Sequence, residues 1–516
     1  MFWIDELTKQ VLKYQKKSSY QINDYKTPSG KIHIGSLRGV VLHNAIKQGL
    51  EKVGKKANFT YGFDDYDPMD GFPPELNSSF KKYMGFPLSE IPSPEKGYKS
   101  FAEYYAKDFL KVFNNMGILP KIIWTSELYK KGVFDKAIKI ALENKDKILR
   151  IYSDISGSKK EKWYPYQAIC EKCGKIGTTI TYDYKNDKVY YECKKDSVKW
   201  AKGCGHKGVV SPYKGAGKLP WKIEWAAKWY ALNYDIEGAG KDHMTKSGSH
   251  DVASAVAEKI YQIKPPFSFA YEWFLLGGRK MSTSKGVGHS AADIAKILPS
   301  EILKFLNIRP KYKKTIDFNP EGTSIPTLYD DFIRCFQYYQ KDKKSDLGQA
   351  YYYSKININE KDPEYLMRFS KIAIGLQMPR INLQKLAREE KGKKLTQQDK
   401  VYLERWIKFA KIWLKHFAPK EFKFEIQEKM PKTDLTKSQK IFLKKVLQTI
   451  ENQNLSGDKL HQEIHKIKTD LKINPRDAFS VIYLIFLGKE SGPQAGWFLA
   501  NLNKNFVIKR IKQAIK

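Results

Sequence analysis

Three groups of residues in this sequence are of types and spacings that could do chemistry. The first is Thr27-Pro28-Ser29-Gly30-Lys31-Ile32-His33-Ile34-Gly35-Ser36. It falls between a strand pattern and a helical one, where exposed backbone amides and a helix amino terminus favour a phosphate. Gly30 and Gly35 permit tight turning and close ligand approach, and His33 offers a donor to a phosphate or a leaving pyrophosphate. Taken singly, the segment reads equally well as a surface loop with an incidental histidine. The second group is Lys280-Met281-Ser282-Thr283-Ser284-Lys285-Gly286, just after the strand-like Phe274, Leu275 and Leu276. Two lysines flanking hydroxyl residues on a glycine-bounded loop can neutralise the charge that develops when a nucleophile attacks the α-phosphate of ATP. A loop of this kind can close over a nucleotide and reopen. A solvated Lys/Ser loop is the plainer alternative.

The third group is Cys170-x2-Cys173, then Cys193, then Cys204, four of the 5 cysteines in the chain. Clustered thiolates of this spacing suit a closed tetrahedral Zn²⁺ site better than a distributed disulfide framework. Such a site contributes about 10–16 kcal/mol of binding energy, enough to decide whether a small lobe folds. His206 could replace one cysteine, and a partly decayed site with free thiols is the competing reading. Cys335, distant and in a helical context, reads as core.

The elements that must position these groups follow from periodicity. Residues 20–23 form a short strand pattern, and Leu37, Val40, Val41, Ala45 and Gln48 recur at helical spacing. Ala57, Phe59 and Tyr61 alternate as a second strand that runs into Asp64, Asp65 and Asp67. Strand, loop, helix, strand is a right-handed parallel unit with ligand groups at the strand ends. Residues 133–151 read as one helix, 178–184 and 188–192 as strands of a small lobe, 221–230 as a helix and 233–237 as a further strand. After Pro326 the pattern is helical, punctuated by Pro379, Pro419, Pro431 and Pro475. There Tyr402, Trp406, Phe409, Trp413 and Phe417 make a stripe that suits core packing first and base stacking second.

With 516 residues the chain exceeds one core, so two to four domains are expected. Lys plus Arg number 92 against 56 Asp plus Glu, a net +36 that favours a polyanionic partner. Part of that excess is attributable to codon bias, since Lys, Ile, Asn and Tyr are plentiful along most of the chain. A hydrophobic share of 41% argues against disorder. Residues 1–17 lack a secretory pattern, and the longest apolar stretch, residues 479–487, is too short to span a bilayer. A cytoplasmic protein with no membrane partner is expected.

In this order and separation, the two loop segments resemble the paired HIGH and KMSKS signatures of class I aminoacyl-tRNA synthetases, and the sequence is identified as resembling the class I lysyl-tRNA synthetases. Ser36 stands at the last position of the first signature and Thr283 at the second lysine of the other. A small polar residue at Ser36 narrows the resemblance to the lysyl family, which characteristically carries Ser at the latter. It extends through Asp64-Asp65-Tyr66-Asp67-Pro68, Gly215-Ala216-Gly217-Lys218-Leu219-Pro220-Trp221, Trp225, Trp229, Glu237 and Gly240-Lys241-Asp242-His243. It reappears near the end at Leu487-Gly488-Lys489 and Gly492-Pro493, and so spans nearly the whole chain.

The resemblance implies an α/β fold: a Rossmann-type parallel nucleotide-binding domain with an inserted zinc-binding lobe, followed by an all-α C-terminal domain. The expected segments are 1–70 and 215–265 (catalytic), 71–214 (insertion, with the zinc lobe at about 163–212), 266–340 (KMSKS loop and stem contact) and 341–516 (anticodon binding). It implies ATP-dependent ligation of L-lysine to tRNA(Lys) through a lysyl-adenylate, with Mg²⁺ accompanying ATP and structural Zn²⁺, by a monomer. Catalysis is expected of His33, Lys280 and Lys285, and ATP binding of Ser29, Gly30, His33, Gly35, Ser36 and residues 280–285: Lys280, Met281 (beside adenine), Ser282, Thr283, Ser284 and Lys285. Thr27, Trp221, Asp242, His243 and Tyr271 are implied for the lysine pocket, while Asp65, Glu237 and Asp242 compete to accept its ammonium. An arginyl, glutamyl or cysteinyl sister enzyme and an inactive synthetase-like RNA-binding protein are the alternatives.

Overall fold

The structure, a computed structural model, describes residues 1–157, 163–280, 289–379 and 381–516, apart from the side chain of Lys280. The chain divides into two compact units, Met1–Asn319 with Arg334–Ile358, and Pro320–Ile333 with Asn359–Lys516.

The first unit is built on a five-stranded sheet of β1 (Ser19–Lys26), β2 (Lys56–Phe63), β3 (Lys121–Trp124), β4 (Ile236–Gly240) and β5 (Phe267–Tyr271), in the order β5-β4-β1-β2-β3. Every neighbouring pair is parallel. β1 and β2 pair along their whole length, from Ser19 with Lys56 to Lys26 with Phe63, and their apolar side chains (Tyr20, Ile22, Ala57, Phe59, Tyr61, Phe63) are buried. From β1 the chain winds out through β2 to β3, then returns to lay β4 on the other side of β1. That reversal opens a crevice at the carboxyl ends of β1 and β4, where open α/β sheets hold ligands. The sheet draws on β3, inside the stretch read as insertion, and on β5, just past the stretch read as catalytic.

Four helices matter here: α1 (Trp3–Tyr14), α2 (Leu37–Lys52), α3 (Trp221–Leu232) and α4 (Ser249–Lys259). α2 follows β1 through residues 27–33 and a short 3-10 turn, Ile34–Ser36, and is buried nearly all round. The strand expected at 233–237 begins later. Asn233 ends α3 in the left-handed conformation (φ 51°), a C-cap that breaks the backbone before β4 can start. The helix expected over 133–151 is two, Asp135–Glu143 and Lys145–Ser156, parted at Asn144 (φ −105°, ψ 24°).

The cysteine-bearing lobe is a three-stranded antiparallel sheet of Thr179–Lys185, Lys188–Cys193 and Lys207–Val210. Its hairpin turns on Asn186 and Asp187, both at positive φ (51° and 55°), the pairing a two-residue turn needs to match strand twist.

The second unit is helical, with Gln397–His416, Lys437–Asn452, Gly457–Asp470, Pro475–Leu487 and Lys504–Ile515 among its elements. The aromatic stripe is core at Tyr402, Trp406 and Trp413: Trp406 meets the ring of Tyr329 edge-on at 4.7 Å, and Trp413 Nε1 donates to Gly322 O at 3.3 Å. Among the described residues no helix is long and apolar enough to cross a membrane.

Candidate active site

The crevice is a cavity of about 760 Å³. Residues from the end of β1, the loop before α2, the end of β2, one face of α3 from Trp221 to Lys228, β4 and β5 line it. No side chain caps the amino terminus of α2, and the loop and 3-10 turn that lead into it put Ser29, His33, Gly35 and Ser36 on the cavity wall. Gly30 is buried beside them without lining the cavity. This loop is pinned to the chain that follows the second signature: Ile34 N donates to His289 O at 3.2 Å, Ala291 N donates to Ile32 O at 2.9 Å, and His33 bridges Ser290. Residues 281–285 and the Lys280 side chain lie outside the described residues.

α3 supplies two stripes by its helical repeat. Trp221 stacks on Trp225 with ring centroids 5.7 Å apart, Trp229 lies tilted to Trp225 at 5.8 Å, and His243 sits edge-on to Trp221 at 5.3 Å. One position round, Glu224 and Lys228 form an i, i+4 pair at 3.3 Å. They belong to a buried chain of alternating charge. Asp67 contacts Lys218, Lys218 meets Glu224 at 3.1 Å, Glu224 meets Lys228, and Lys228 contacts Asp64. Lys218, Glu224 and Lys228 have side chains no more than 3% exposed. Burial opposes charging of the two lysines, but the carboxylates around them win and push both pKa values up. Lys228 also lies over the Tyr25 ring, 3.8 Å from its centroid, and Tyr129 OH donates to Glu224 at 2.8 Å.

Of the residues expected in the lysine pocket, Thr27, Trp221, Glu237, Asp242, His243 and Tyr271 line the cavity. Thr27 Oγ1 donates to Asp67 at 2.8 Å. Glu237, on β4, accepts from Asn23 Nδ2 at 3.0 Å, Trp225 Nε1 at 2.9 Å and Trp229 Nε1. Burial nevertheless raises its pKa to about 7, since desolvation of the carboxylate outweighs those donors. Asp242 is exposed and accepts from Trp273 Nε1 at 3.0 Å. Asp65 is not a wall. It is turned onto Ser126, whose backbone N–H donates at 2.8 Å and whose hydroxyl donates too, and burial raises it to about 6. The strand-end alternation that aims Asp64 at Lys228 sends its neighbour the other way.

Asp24 and Lys228 also line the cavity and are missing from the sequence-based expectation; Asp64, Asp67 and Lys218, named there only as strand-end or motif residues without a role, line it too. The i, i+4 spacing of Glu224 and Lys228 was a usable signal, as was the pair of carboxylates closing β2. Asp24 gave none, because a single acid near a strand end is common.

The four lobe cysteines converge: Cys170 and Cys204 sulfurs are 3.6 Å apart, Cys173 and Cys193 sulfurs 3.7 Å, and all four lie within 4.8 Å of one another. These separations are too long for disulfides. They match the roughly 3.8 Å between sulfurs around a tetrahedral ion with Zn–S of about 2.3 Å. Gly174, at φ +74°, turns the knuckle so that its N–H returns to Cys170 O at 2.8 Å. His206 stays out of the group, its ring edge-on to Tyr191 and its carbonyl accepting from Cys193 N at 2.8 Å.

Residues 1–357 match a family model described as tRNA synthetases class I (K), and residues 391–515 match one described as an anticodon binding domain. The chain belongs to the class I lysyl-tRNA synthetases. A curated lysine–tRNA ligase from Thermoplasma volcanium is 35% identical, over 100% of this chain and 99% of the relative. Relatives of the same name from Methanosarcina barkeri (33%, over 99% of this chain and 97% of the relative) and Archaeoglobus fulgidus (31%, over 100% of each) are similar over the same span. Among solved structures, a glutamate tRNA ligase from Elizabethkingia meningosepticum aligns with 96% of this chain and 99% of its own at 12% identity and a TM-score of 0.43, too distant to bear on any residue. Membership bears out the expected α/β catalytic part and helical anticodon-binding part, and a class I synthetase of this composition takes tRNA, an amino acid and ATP as substrates.

Proposed function

We propose that this chain joins L-lysine to tRNA(Lys) through a lysyl-adenylate, with the cavity between β1 and β4 as the site of both steps. The observation that carries the reading is the make-up of that one cavity. The His33 loop that leads into α2 forms part of its wall, and buried carboxylates and the Trp221–Trp225 indole stack form another part. The first suits the phosphates of ATP, and the second suits an ammonium on an aliphatic stem.

In this reading the lysine carboxylate oxygen attacks the α-phosphorus, and the bond to pyrophosphate breaks. The terminal ribose hydroxyl of tRNA then attacks the adenylate carbonyl and AMP leaves. His33 and the amides around Gly30 and Gly35 hold phosphate oxygens. Lys280 and Lys285 neutralise the pentacovalent α-phosphate, and the Mg²⁺ that accompanies ATP would offset the charge of the triphosphate. Trp221 and Thr27 flank the amino acid. The enzyme needs no covalent intermediate, so positioning and charge compensation supply the rate. The four lobe cysteines would hold Zn²⁺ as a structural clip. We place the enzyme in the cytoplasm as a monomer.

The test is pyrophosphate exchange into ATP and charging of total tRNA with each amino acid in turn, with and without tRNA in the exchange. Lysine-specific charging is expected. Charging of another amino acid would move the assignment to a sister enzyme, and no activation even with tRNA present would favour an inactive RNA-binding protein.

A further inference from the structure

The carboxylates of the cavity are not equivalent. Asp64 and Asp67 each contact a buried lysine, Lys228 and Lys218. Glu237 is taken up by three N–H donors from Asn23, Trp225 and Trp229. Glu272 pairs with Lys241 at 2.6 Å, Asp242 accepts from the Trp273 indole, and Asp70 is exposed. Asp24 differs from all of these. It is 7% exposed, and its Oδ1 accepts the Tyr25 backbone N–H at 3.0 Å. Among the described residues no lysine or arginine stands within ion-pair distance of it; the Lys26 ammonium acts on it only from farther off, and burial outweighs that pull and raises the acid's pKa.

His43 approaches Asp24 Oδ2 at 3.8 Å but does not supply the missing charge. The Gly238 N–H donates to His43 Nε2 at 2.7 Å, so Nε2 carries no proton, and Nδ1 donates to Gly39 O at 2.7 Å. That is the neutral tautomer, and burial lowers the imidazole pKa to about 4. Space is made for the carboxylate by Gly39 on α2. A Cβ there would stand 2.4 Å from Asp24 Oδ2 and 2.8 Å from Tyr271 OH, so acid and phenol sit together over the gap. Both line the cavity.

We propose that Asp24, seated with Tyr271 over Gly39, accepts the side-chain ammonium of the substrate lysine. This rests on the reading of the cavity as a lysine site. The assignment follows by elimination and by chemistry. The remaining buried acids already have their donors, and a desolvated carboxylate beside a phenol is the acceptor a desolvated ammonium requires. The same contact gives discrimination. A neutral amino acid of equal length would leave a buried acid without its partner, which sites of this kind reject strongly.

The experiment uses the full chain and Asp24→Asn, with steady-state charging of lysine and of norleucine, which keeps the four-carbon stem and lacks the ammonium nitrogen. The expected result is a rise in KM for lysine of roughly 10- to 100-fold, KM for ATP little changed, and a lysine-over-norleucine preference that collapses by a similar factor. An unchanged KM for lysine, or an equal loss for both amino acids, would overturn the assignment. Should Asp24→Asn fail to fold, Gly39→Ala keeps the acid but displaces it and is read in the same way. Wild-type charging of some other amino acid would overturn the lysine reading itself, before any variant is compared.

Discussion

Replacing Lys228 by Met isolates what the buried charge chain does. The thioether fills most of the volume of the lysine stem and keeps a favourable contact with the Tyr25 ring, which the ammonium overlies at 3.8 Å. What it removes is the cation between Asp64 and Glu224. Three carboxylates, Asp67, Glu224 and Asp64, would then share the one ammonium of Lys218, with Glu224 fully buried and Asp64 nearly so at the cavity floor. Breaking a buried ion pair from one side costs about 3–5 kcal/mol, because the surviving charge keeps its desolvation penalty and loses its partner. For a unit of this size that corresponds to a fall in Tm on the order of 5–10 °C. The sign of the pH dependence follows from linkage. The variant's folded state gains by taking up a proton that the unfolded chain does not hold, so its deficit is full at pH 8 and shrinks as pH falls. Scanning calorimetry of wild type and Lys228→Met from pH 5 to 8 measures both quantities. A loss below about 1 kcal/mol, or a gap that widens toward acid, would refute the view of these five side chains as one electrostatic unit.

Cys193→Ser is expected to abolish stoichiometric zinc and to leave the lobe open to proteolysis, with metal analysis and limited digestion as the readouts; zinc-free wild type with an intact lobe would refute the clip. Lys280→Ala and Lys285→Ala should each slow adenylate formation by about 10²–10³-fold while leaving lysine binding by calorimetry unchanged. Glu237, raised by burial to about 7 from 4.5, binds its proton more tightly folded than unfolded. It therefore adds stability as pH falls from 8 toward 5, and Glu237→Gln should flatten that slope in thermal unfolding; an unaltered slope would assign it to other groups.

The catalytic frame was largely legible in the sequence because its signals are local. The strand, turn and helix around residues 19–52 follow from alternation and 3.6-residue periodicity, and the cysteine spacing foretold a cluster whose sulfurs lie within 4.8 Å. Sheet order was less accessible. β3 is only four residues long, and β4 starts after the left-handed Asn233, so neither boundary has a strong periodic signature. The site was half legible. Aromatic and histidine walls came from motif residues, but which acid is free depends on partners far away in sequence: Asp64 is silenced by Lys228 and Asp65 by Ser126, and Asp24 is left available by a tautomer fixed at Gly238. Such pairings exist only once the strands are adjacent.

Strand adjacency also sets an order of assembly. β1 pairs Ile22 and Asn23 with Ile236 and Glu237 of β4, and everything between them, cysteine lobe included, is made first on the ribosome. Closing so long a connection is slow, because its entropy is lost before the pairing returns any energy. A lobe gathered early by its own hairpin and cysteines shortens the chain left to be closed. The supply of metal during synthesis would then govern how fast the crevice at the head of β1 comes into being, well before the finished enzyme meets its first nucleotide.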